Sequence, residues 1–421
     1  MNLQQQILDL GRRARRAARD LAKLSSEQKN AALLAMADEI MASQEAILAA
    51  NEKDLKRADA LSPAMIDRLK LNVERITAMA GGVRQVVALA DPVGKLVREW
   101  ARPNGIRISK MRVPIGVIGI IYESRPNVTT DAAVLCTKAG NATILRGGSE
   151  SIHSNLAIVE ALQRGAAKAG LPADSILLIA DTDREAIKHL AELDRYVDLI
   201  IPRGGHALIE AVINVARVPV IKHSDGVCIV YVDEEADLDM ALEIVTNAKT
   251  QRPAVCNAIE TVLIHGEVAT PFLQKLALRM GEEKVELRAD ARAFTQLSAL
   301  KYNRLRQASE ADWSTEFLDL VLAVGVVDSP AGAIEHIERF GSHHSDCIVT
   351  RNVRTAEQFL RDVDSATVYW NASTRFTDGG EFGFGAEIGI STGRLHARGP
   401  MALEELTSYK YVIRGDGQIR T

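Results

Sequence analysis

The sequence predicts an α/β protein with two or three domains, at least two of which are built on open sheets. Short apolar strands alternate with helical patterns in both halves of the chain, which is typical of right-handed βαβ units. The run from Val117 to Ile121 is apolar throughout, as in a strand that is buried on both faces. A length of 421 residues is sufficient for this number of domains.

The first hundred or so residues are predicted to be mostly helical. Ser25 and Gln28 have the spacing of a capping box, and apolar residues recur at helical spacing after them. A polar, strand-like stretch ending near Met111 follows. The chain therefore enters its first parallel sheet only at Val117.

Two successive βαβ regions follow. In the first, a helix to Ala169 is closed by Gly170, and a later helix is opened by Thr182 with Glu185. This region predicts a nucleotide-binding domain with ligands at the carboxyl ends of its strands. The predicted strands of the two regions are 117–121, 142–145, 176–179 and 197–201, and then 227–232, 259–264, 320–327, 347–350 and 367–370. The Gly-rich stretch 378–393 is predicted to be a long functional loop.

Composition excludes several classes of protein. The formal net charge is −4, and the basic cluster from Arg12 to Arg16 is followed at once by acidic residues, so we expect no nucleic-acid surface. This cluster is also compatible with a transit peptide, but its helical pattern favours a solvated helix face. No apolar run is long enough to predict a membrane span. We therefore expect a cytoplasmic protein.

The cysteines point to one candidate nucleophile. The four cysteines are widely spaced without a CxxC pair, so neither a disulfide framework nor a metal site is expected. Cys256 lies in a predicted loop with Arg252 nearby, and a cation favours the nucleophilic thiolate. A small buried hydrophobe is the alternative interpretation. For Cys136, Cys228 and Cys347, which lie in predicted elements, that alternative is the better one.

Two Gly-rich turns follow predicted strands and lead into helices. One contains Arg146, Gly147 and Ser149, and the other contains Arg203, Gly204 and Gly205. Backbone N–H groups at a helix start favour anions, and an arginine beside them can hold a 2′-phosphate, which would select NADP over NAD. Neither turn matches GxGxxG, and a structural turn with an exposed arginine remains the alternative for each.

Further polar residues lie at predicted loops. Asn127 either donates to a developing oxyanion or caps the helix that follows it, and Arg125 beside it is a candidate substrate contact because the segment lies where a ligand should bind. His343 and His344 have no neighbouring ligands at metal spacing, so we expect a polar loop that lines a site. These loops add substrate candidates without indicating a metal.

Several of these segments together resemble the aldehyde dehydrogenase superfamily, and within it the members that reduce acyl phosphates. The resemblance covers nearly the whole chain. Its most specific motifs are Val113-Pro-Ile-Gly-Val-Ile-Gly-Ile-Ile-Tyr-Glu-Ser-Arg-Pro-Asn127, 138–148, 198–205, the Cys256 segment 251–257, and Glu381-Phe-Gly-Phe-Gly-Ala-Glu-Ile-Gly-Ile-Ser391.

The resemblance implies roles for individual residues. It aligns Cys256 with the thioester-forming cysteine of the superfamily, and Glu316 with the glutamate that binds the nicotinamide ribose. Arg146 and Ser149 align with the adenosine-ribose site, and 203–205 with a loop near the cofactor phosphates. The oxyanion asparagine does not align cleanly, because the segment around Asn127 differs in length from the usual motif.

One departure from the superfamily bears on the reaction. Hydrolytic members carry a glutamate base where this chain reads Ile221-Lys-His-Ser-Asp-Gly226. Hydrolysis of a thioester needs a base for water, whereas acyl transfer to or from phosphate does not. Lys222 and His223 are therefore candidates for the substrate phosphate, with a solvated lysine at a hinge as the alternative for Lys222.

The resemblance also implies an architecture. It predicts an NADP-binding domain (1–98 and 113–225), a catalytic domain (226–408) and a small β flap for oligomerisation (99–112 and 409–421). A homo-oligomer follows from the flap.

The implied reaction is the NADPH-dependent reduction of L-glutamyl 5-phosphate, without a metal. A partnership with glutamate 5-kinase is also implied. The alternatives are an NADP-dependent dehydrogenase that releases a free acid, and a silent scaffold that binds the kinase.

Overall fold

The computed structural model describes residues 2–58, 61–221 and 225–420. They form two compact units. Of the described residues, 2–58, 61–221, 383–389 and 401–420 form the first unit, and 225–382 and 390–400 form the second. Each unit has its own parallel sheet, so the expected α/β class is confirmed.

The helices and strands are numbered along the chain. The helices are α1 (Leu3–Leu21), α2 (Ser26–Ala42), α3 (Gln44–Leu55), α4 (Pro63–Leu69), α5 (Val73–Ala88), α6 (Pro126–Lys138), α7 (Ile152–Lys168), α8 (Glu185–Ala191), α9 (His206–Val215), α10 (Leu238–Thr250), α11 (Gly266–Glu282), α12 (Ala291–Ala299), α13 (Pro330–Phe340) and α14 (Val353–Asp362). The strands are β1 (Leu96–Ala101), β2 (Arg107–Pro114), β3 (Val117–Tyr122), β4 (Ala142–Arg146), β5 (Ile176–Leu178), β6 (Leu199–Arg203), β7 (Cys228–Val232), β8 (Ile259–His265), β9 (Glu286–Ala289), β10 (Leu305–Gln307), β11 (Val321–Val327), β12 (Ser345–Val349), β13 (Thr367–Trp370), β14 (Gly389–Ser391), β15 (Gly399–Met401) and β16 (Thr407–Arg414).

Helix α1 packs directly on the parallel sheet of the first unit, whereas α2 and α3 pack against α7. The predicted capping box at the start of α2 is confirmed, since Ser25 Oγ accepts the N–H of Gln28 and Gln28 Oε1 accepts the N–H of Ser25. Helix α7 crosses α2 at Gly165, where a Cβ atom would lie 2.5 Å from Cα of Met36. Glycine at this point lets the two backbones approach closely.

The parallel sheet of the first unit has the strand order β5-β4-β3-β6. Its central strand β3 is buried along its whole length, as the apolar run predicts. Because all pairs are parallel, the turns after β3, β4 and β6 lie at one edge of the sheet. That edge therefore brings together three of the polar segments chosen from the sequence.

A separate antiparallel sheet in the first unit has the order β1-β2-β16. It includes most of the residues predicted for the oligomerisation flap, together with neighbouring residues on either side. Its β16 strand exposes Tyr409, Tyr411 and Ile413, and the Lys110 ammonium lies 3.5 Å from the ring centre of Tyr409. The role of this sheet in oligomerisation remains a prediction.

The second unit contains a seven-stranded parallel sheet of order β10-β9-β11-β8-β7-β12-β13. Strands β7, β8 and β12 at its centre are fully buried. Apolar residues of α10, α11 and α12 cover one face in a continuous core. The segment that contains the candidate nucleophile leads directly into the central strand β8, which lies beside β7.

Some predicted boundaries are wrong. Helix α8 begins at Glu185 with Arg184 as its cap, so Thr182 is not the cap residue. The reason is a tertiary contact: the Thr182 carbonyl accepts Arg146 Nη2 at 2.9 Å, which holds this residue outside the helix. Strand β6 lies about two residues later than predicted. By contrast, Gly170 has the positive φ of +76° expected of a residue that ends a helix.

Substituting Gly165→Ala is expected to destabilise the first unit by about 1–3 kcal/mol, because the new Cβ would overlap the α2 backbone. The matched control is Gly82→Ala in α5, where nothing lies within 4 Å of the new atom. The control is expected to gain up to about 1 kcal/mol. Thermal and urea unfolding of both variants tests this, and equal stabilities would contradict the packing argument.

Candidate functional site

Cys256 differs from the other cysteines in its exposure. It is partly exposed, whereas Cys136, Cys228 and Cys347 are buried. Burial raises the pKa of Cys136 and of Cys347 to about 12, and it raises the pKa of Cys228 well above its usual value. Those three thiols are therefore protonated at neutral pH. Because the thiolate is the nucleophilic form, Cys256 is the candidate nucleophile.

The backbone of Cys256 passes directly over Gly226. Cys256 lies in the turn between α10 and β8, and Gly226 lies just before β7. A Cβ atom on Gly226 would be 2.2 Å from the carbonyl oxygen of Cys256 and 2.4 Å from its Cα. No other residue fits here without moving the backbone of Cys256. This close approach is the physical reason for glycine at position 226.

Hydrogen bonds fix both sides of Cys256. The Cys228 thiol donates to the Cys256 carbonyl, with sulfur and oxygen 3.2 Å apart. Asn257 Nδ2 donates to the carbonyl of Thr377 at 2.8 Å, and Thr374 Oγ1 donates to the carbonyl of Asn257 at 2.7 Å. The turn is thus held by groups distant in sequence. Such support is what a precisely positioned reactive group requires.

A buried polar network continues from Cys228. His344 is fully buried, with Nδ1 3.6 Å from the Cys228 sulfur and 2.8 Å from Ser345 Oγ. Ser345 Oγ lies 2.7 Å from Thr377 Oγ1. The sequence predicted a polar loop at His344, but the structure places this histidine beneath the turn of Cys256. These contacts make His344 part of the hydrogen-bonded network beside that turn.

Two arginines contribute positive charge near Cys256. Burial lowers the pKa of Arg375, the neighbouring charge of Arg252 lowers it further, and Cys256 and Asp378 act in the opposite direction. Arg375 Nε also donates to Gln251 Oε1 at 2.7 Å. The sequence indicated only Arg252. Arg375 was missed because it lies far along the chain in a short 3₁₀ turn without a motif of its own.

Glu316 lies beside the same turn. Its carboxylate accepts the N–H of Gly226, the residue that contacts the Cys256 backbone. Burial raises the pKa of Glu316, the Gly226 N–H opposes that rise, Asp225 adds to it, and Lys249 again opposes it. The structure therefore brings Glu316 and Cys256 together. A carboxylate in this position can accept hydrogen bonds from ribose hydroxyls.

In the first unit, Arg146 is buried at the end of β4. Its guanidinium donates to the carbonyls of Gly147 and Thr182, each at 2.9 Å. Its Nε is buried with no partner among the residues that the structure describes. The alternative interpretation of this turn, a structural turn with an exposed arginine, is therefore wrong for Arg146. Arg184, which the sequence did not indicate, is close enough to lower the pKa of Arg146 after the larger effect of burial.

The turn after β4 is tightly packed. Added Cβ atoms would lie 2.1 Å from Asn155 Nδ2 at Gly147 and 2.3 Å from Glu150 Oε1 at Gly148. Glu150 accepts both the N–H and the hydroxyl of Ser124, which joins this turn to the one after β3. Ser149 is exposed, and its hydroxyl is 3.4 Å from Glu150. The turn thus presents a hydroxyl and a carboxylate to solvent.

The turn after β6 leads into the amino terminus of α9. The Gly205 N–H donates to Glu123 Oε2 at 3.1 Å, and a Cβ on Gly204 would overlap the same side chain. Along the described chain, the N–H groups of His206 and Ala207 have no protein acceptor. The guanidinium of Arg203 packs on Gly389, where a Cβ would lie 2.1 Å from Nη1. A helix start of this kind favours a phosphate group.

The turn after β3 contains the remaining candidates of the first unit. Arg125 is the exposed cap residue of α6, so Asn127 is not the cap and that interpretation is wrong. Pro126 takes the first helical position because it needs no N–H partner there. Asn127 Nδ2 instead donates to Asp131 Oδ2 at 3.2 Å.

Asp131 lines a small cavity in the first unit. Burial raises the pKa of Asp131 to about 6, while the Asn127 amide and the charge of Arg203 oppose the rise. The cavity has a volume of about 30 Å³, enough for about one water molecule, and Arg203 and Glu387 also line it. Protonation of Asp131 near neutral pH would change the charge of this cavity.

Lys222 and His223 lie outside the described residues, so their assignment to the substrate phosphate stays a prediction. In ranges 2–58, 61–221 and 225–420, no group of three or more metal-ligating side chains is placed to hold a metal ion. Within the same ranges, no helix has both the length and the apolar character needed to cross a membrane.

Comparisons with known proteins agree on one family. The model described as "Aldehyde dehydrogenase family" matches residues 3–311. A gamma-glutamyl phosphate reductase of Moorella thermoacetica is 56% identical over 422 residues, covering 100% of both chains. A second, from Caldanaerobacter subterraneus, is 53% identical and covers 97% of this chain and 98% of its own length.

Solved structures give the same result. The crystal structure of gamma-glutamyl phosphate reductase from Thermotoga maritima matches with a TM-score of 0.96 and 43% identity, covering 99% of this chain and 100% of its own. An acetylating aldehyde dehydrogenase from Geobacillus thermoglucosidasius, at 18% identity and a TM-score of 0.68, covers 100% of this chain and 98% of its own. The second match shows a shared fold alone.

Iodoacetamide is expected to alkylate Cys256 first in the native protein, because the other thiols are buried and protonated. Gly226→Ala should change the alkylation rate of Cys256 by about tenfold by displacing its backbone. Peptide mapping by mass spectrometry measures both. The control Gly332→Ala, whose new Cβ would meet nothing closer than 3.6 Å, should leave the rate unchanged. Alkylation of Cys136 at the same rate would contradict the assignment.

Proposed function

Because this chain belongs to the aldehyde dehydrogenase family, and within it to the gamma-glutamyl phosphate reductases, we propose that it works through a thioester on Cys256 with NADPH as reductant. The overall reaction follows from that membership. It is the reduction of glutamyl phosphate to glutamate semialdehyde in proline biosynthesis, with a nicotinamide cofactor. The thioester and the choice of NADPH are the parts proposed.

The exposure of Cys256 carries the proposal. It is the partly exposed cysteine in a chain whose other thiols are buried and have raised pKa values. It lies in a turn that hydrogen bonds hold on both sides, with Arg375 near it. Covalent catalysis by a thiol requires this combination of access, positioning and positive charge.

The reaction begins with attack of the Cys256 thiolate on the acyl carbon of glutamyl phosphate. A carbon–sulfur bond forms, the bond to the phosphate oxygen breaks, and phosphate leaves with the electron pair. When bound, a reduced nicotinamide supplies the hydride that takes the thioester carbon to the aldehyde oxidation level. Collapse of the thiohemiacetal on Cys256 releases the semialdehyde and restores the thiolate.

The arginines stabilise charge during the first step. Arg375 is partly desolvated, since burial is the largest influence on its pKa, and Arg252 adds a second positive charge beside it. Together they favour the thiolate and stabilise the negative charge that develops on the departing phosphate. The attraction of Arg375 for anions is stronger than it would be in bulk water, because its partial burial lowers the local dielectric.

The stretch 221–226 contains no glutamate, although hydrolytic relatives carry a base there. Without a base that activates water, the thioester persists long enough for reduction or for transfer to phosphate. A dehydrogenase that releases a free acid is therefore the less favoured alternative. Lys222 and His223 in this stretch are proposed to contact the substrate phosphate.

The first unit has features that suit a dinucleotide. The amino terminus of α9 follows the Gly204–Gly205 turn at the carboxyl edge of a parallel sheet, where phosphates bind in this fold class. We propose that residues 203–205 contact the cofactor phosphates. We propose Gly147 and Ser149, together with the orphaned Nε of Arg146, for the adenosine ribose and its 2′-phosphate.

Glu316 is proposed to accept hydrogen bonds from the nicotinamide ribose, and Arg125 to contact substrate phosphate. Asn127 is proposed as a donor to the oxyanion, which would require its amide to leave Asp131. No metal is assigned a part in this chemistry. Each of these roles is separable by mutation.

Partners and setting follow from the same proposal. The substrate is a small molecule. The exposed aromatic strand β16 is proposed to lie in a contact between copies of the chain, giving a homo-oligomer. Association with glutamate 5-kinase is proposed because an acyl phosphate hydrolyses readily in water. The proposed location is the cytoplasm.

Purified wild type with glutamate 5-semialdehyde is expected to reduce NADP only when phosphate is present, and Cys256→Ala should abolish turnover. NADPH absorbance measures the rate, and Cys136→Ala, in a buried helix of the first unit, is the matched control that keeps activity. Turnover without phosphate would indicate the hydrolytic alternative. Folded wild type without any turnover would favour the silent scaffold that binds the kinase.

Ser149→Glu is expected to raise the KM for NADPH by about tenfold and the KM for NADH much less. A second carboxylate beside Glu150 would repel a 2′-phosphate that NADH lacks. Steady-state kinetics with both cofactors measure the ratio. Equal increases in the KM for NADPH and for NADH would show that Ser149 does not contact the 2′-phosphate. A position near the ribose would still fit that result.

A further inference from the structure

A buried ion pair lies at the base of the turn that carries Cys256. Lys249 Nζ is 2.5 Å from Glu260 Oε2, and both side chains have a relative exposure of 0%. Lys249 is in the last turn of α10, and Glu260 is the second residue of β8. Since Cys256 lies between these two positions, the pair closes a short loop around the nucleophile.

The lysine makes a second bond within this loop. Its Nζ donates to the carbonyl of Ile259 at 3.1 Å. The end of α10 is therefore tied both to the side chain and to the main chain at the start of β8. Any movement of the Cys256 turn that separates its two ends must break these bonds inside a desolvated space.

The glutamate joins the loop to a second segment. Its other oxygen, Oε1, accepts the N–H of Leu318 at 3.4 Å. Leu318 has a φ of +54°, a left-handed conformation that a side chain of this kind rarely adopts. It is two residues after Glu316. Glu260 thereby stabilises an unfavourable backbone conformation next to the residue proposed for the nicotinamide ribose.

Stability is a poor explanation for this pair. Burial raises the pKa of Glu260 and lowers that of Lys249, because both charges have lost their hydration. Apolar residues of similar volume often replace a buried pair without loss of stability. The pair is better explained by what it positions, since it reaches two functional segments from one place.

We infer that Lys249 and Glu260 are positioning residues that hold the Cys256 and Glu316 segments in the geometry required for reduction of the thioester. Neither residue is proposed to touch substrate or cofactor. The catalytic part of the inference rests on the function proposed above. The mechanical part, the geometry of the Cys256 turn, does not depend on it.

The test replaces both charges at once, by Lys249→Met with Glu260→Leu. This variant is expected to keep a melting temperature near that of wild type, because the apolar pair fills the same space. Its kcat should fall by at least about tenfold with a smaller change in substrate KM, because misplaced reacting groups slow the step after binding. The iodoacetamide rate at Cys256 should change severalfold.

A matched control removes a second buried pair. Lys29 Nζ is 2.5 Å from Asp91 Oδ2 in the first unit, with relative exposures of 1% and 8%. The double variant Lys29→Met with Asp91→Leu is expected to keep wild-type kcat and alkylation rate. A fall in kcat that is equal in both double variants would show a general effect of removing buried charge, and it would overturn the inference.

The remaining outcomes are also decisive. Wild-type kcat together with a wild-type alkylation rate in Lys249→Met/Glu260→Leu would overturn the inference. If that variant does not fold, Glu260→Gln decides: it keeps the volume but has one acceptor oxygen for two donors, so kcat should fall by at least about threefold. Wild-type kcat in Glu260→Gln would then overturn it.

The failure of the proposed function is distinguishable from these results. Wild type is assayed first for phosphate-dependent turnover with NADP. If wild type shows none, the proposed function fails, and the alkylation rates of the two double variants still decide whether the pair positions Cys256. If wild type turns over, the kinetic comparison and the alkylation comparison must agree for the inference to stand.

Discussion

The close approach of Gly226 to the backbone of Cys256 is the constraint on which the second unit depends. With a Cβ position 2.2 Å from the Cys256 carbonyl oxygen, nothing larger than hydrogen fits between the two segments. The candidate nucleophile is therefore placed by two backbones in contact, a stiffer arrangement than one that relies on side chains. Further hydrogen bonds surround this contact. Glu316 accepts the N–H of Gly226, Cys228 donates to the carbonyl of Cys256, and Asn257 donates to the carbonyl of Thr377.

Charge is distributed differently in the two units. Around Cys256, Arg375 and Arg252 supply positive charge, which suits a thiolate and a departing phosphate, and the carboxylates of Glu316 and Asp378 lie nearby. At the carboxyl edge of the sheet in the first unit, carboxylates of Glu123 and Glu150 accept hydrogen bonds from the turns themselves. The N–H groups of His206 and Ala207 at the start of α9 have no acceptor among the described residues. A helix start of this kind favours an anion such as phosphate.

Much of the fold was predictable because hydrophobic pattern and turn residues are local signals. The buried run of β3, the capping box of α2 and the helix end at Gly170 were identified from neighbouring residues alone. The start of α8 was not, since a guanidinium from β4 holds Thr182 outside the helix. Neither the burial of Arg146 nor the position of Arg375 near Cys256 could be predicted from the sequence, because each depends on segments that are distant in the chain.

The sequence by itself determined the α/β class, the order of the βαβ regions and the identity of the candidate nucleophile. These follow from periodicity, from the position of Cys256 in a loop, and from motifs that resemble a known superfamily. Only the tertiary structure decided which groups surround that cysteine: Gly226, Arg375, Glu316 and the Lys249–Glu260 pair. The physical reason is that desolvation and hydrogen bonding depend on distance in space, whereas a sequence records only distance along the chain.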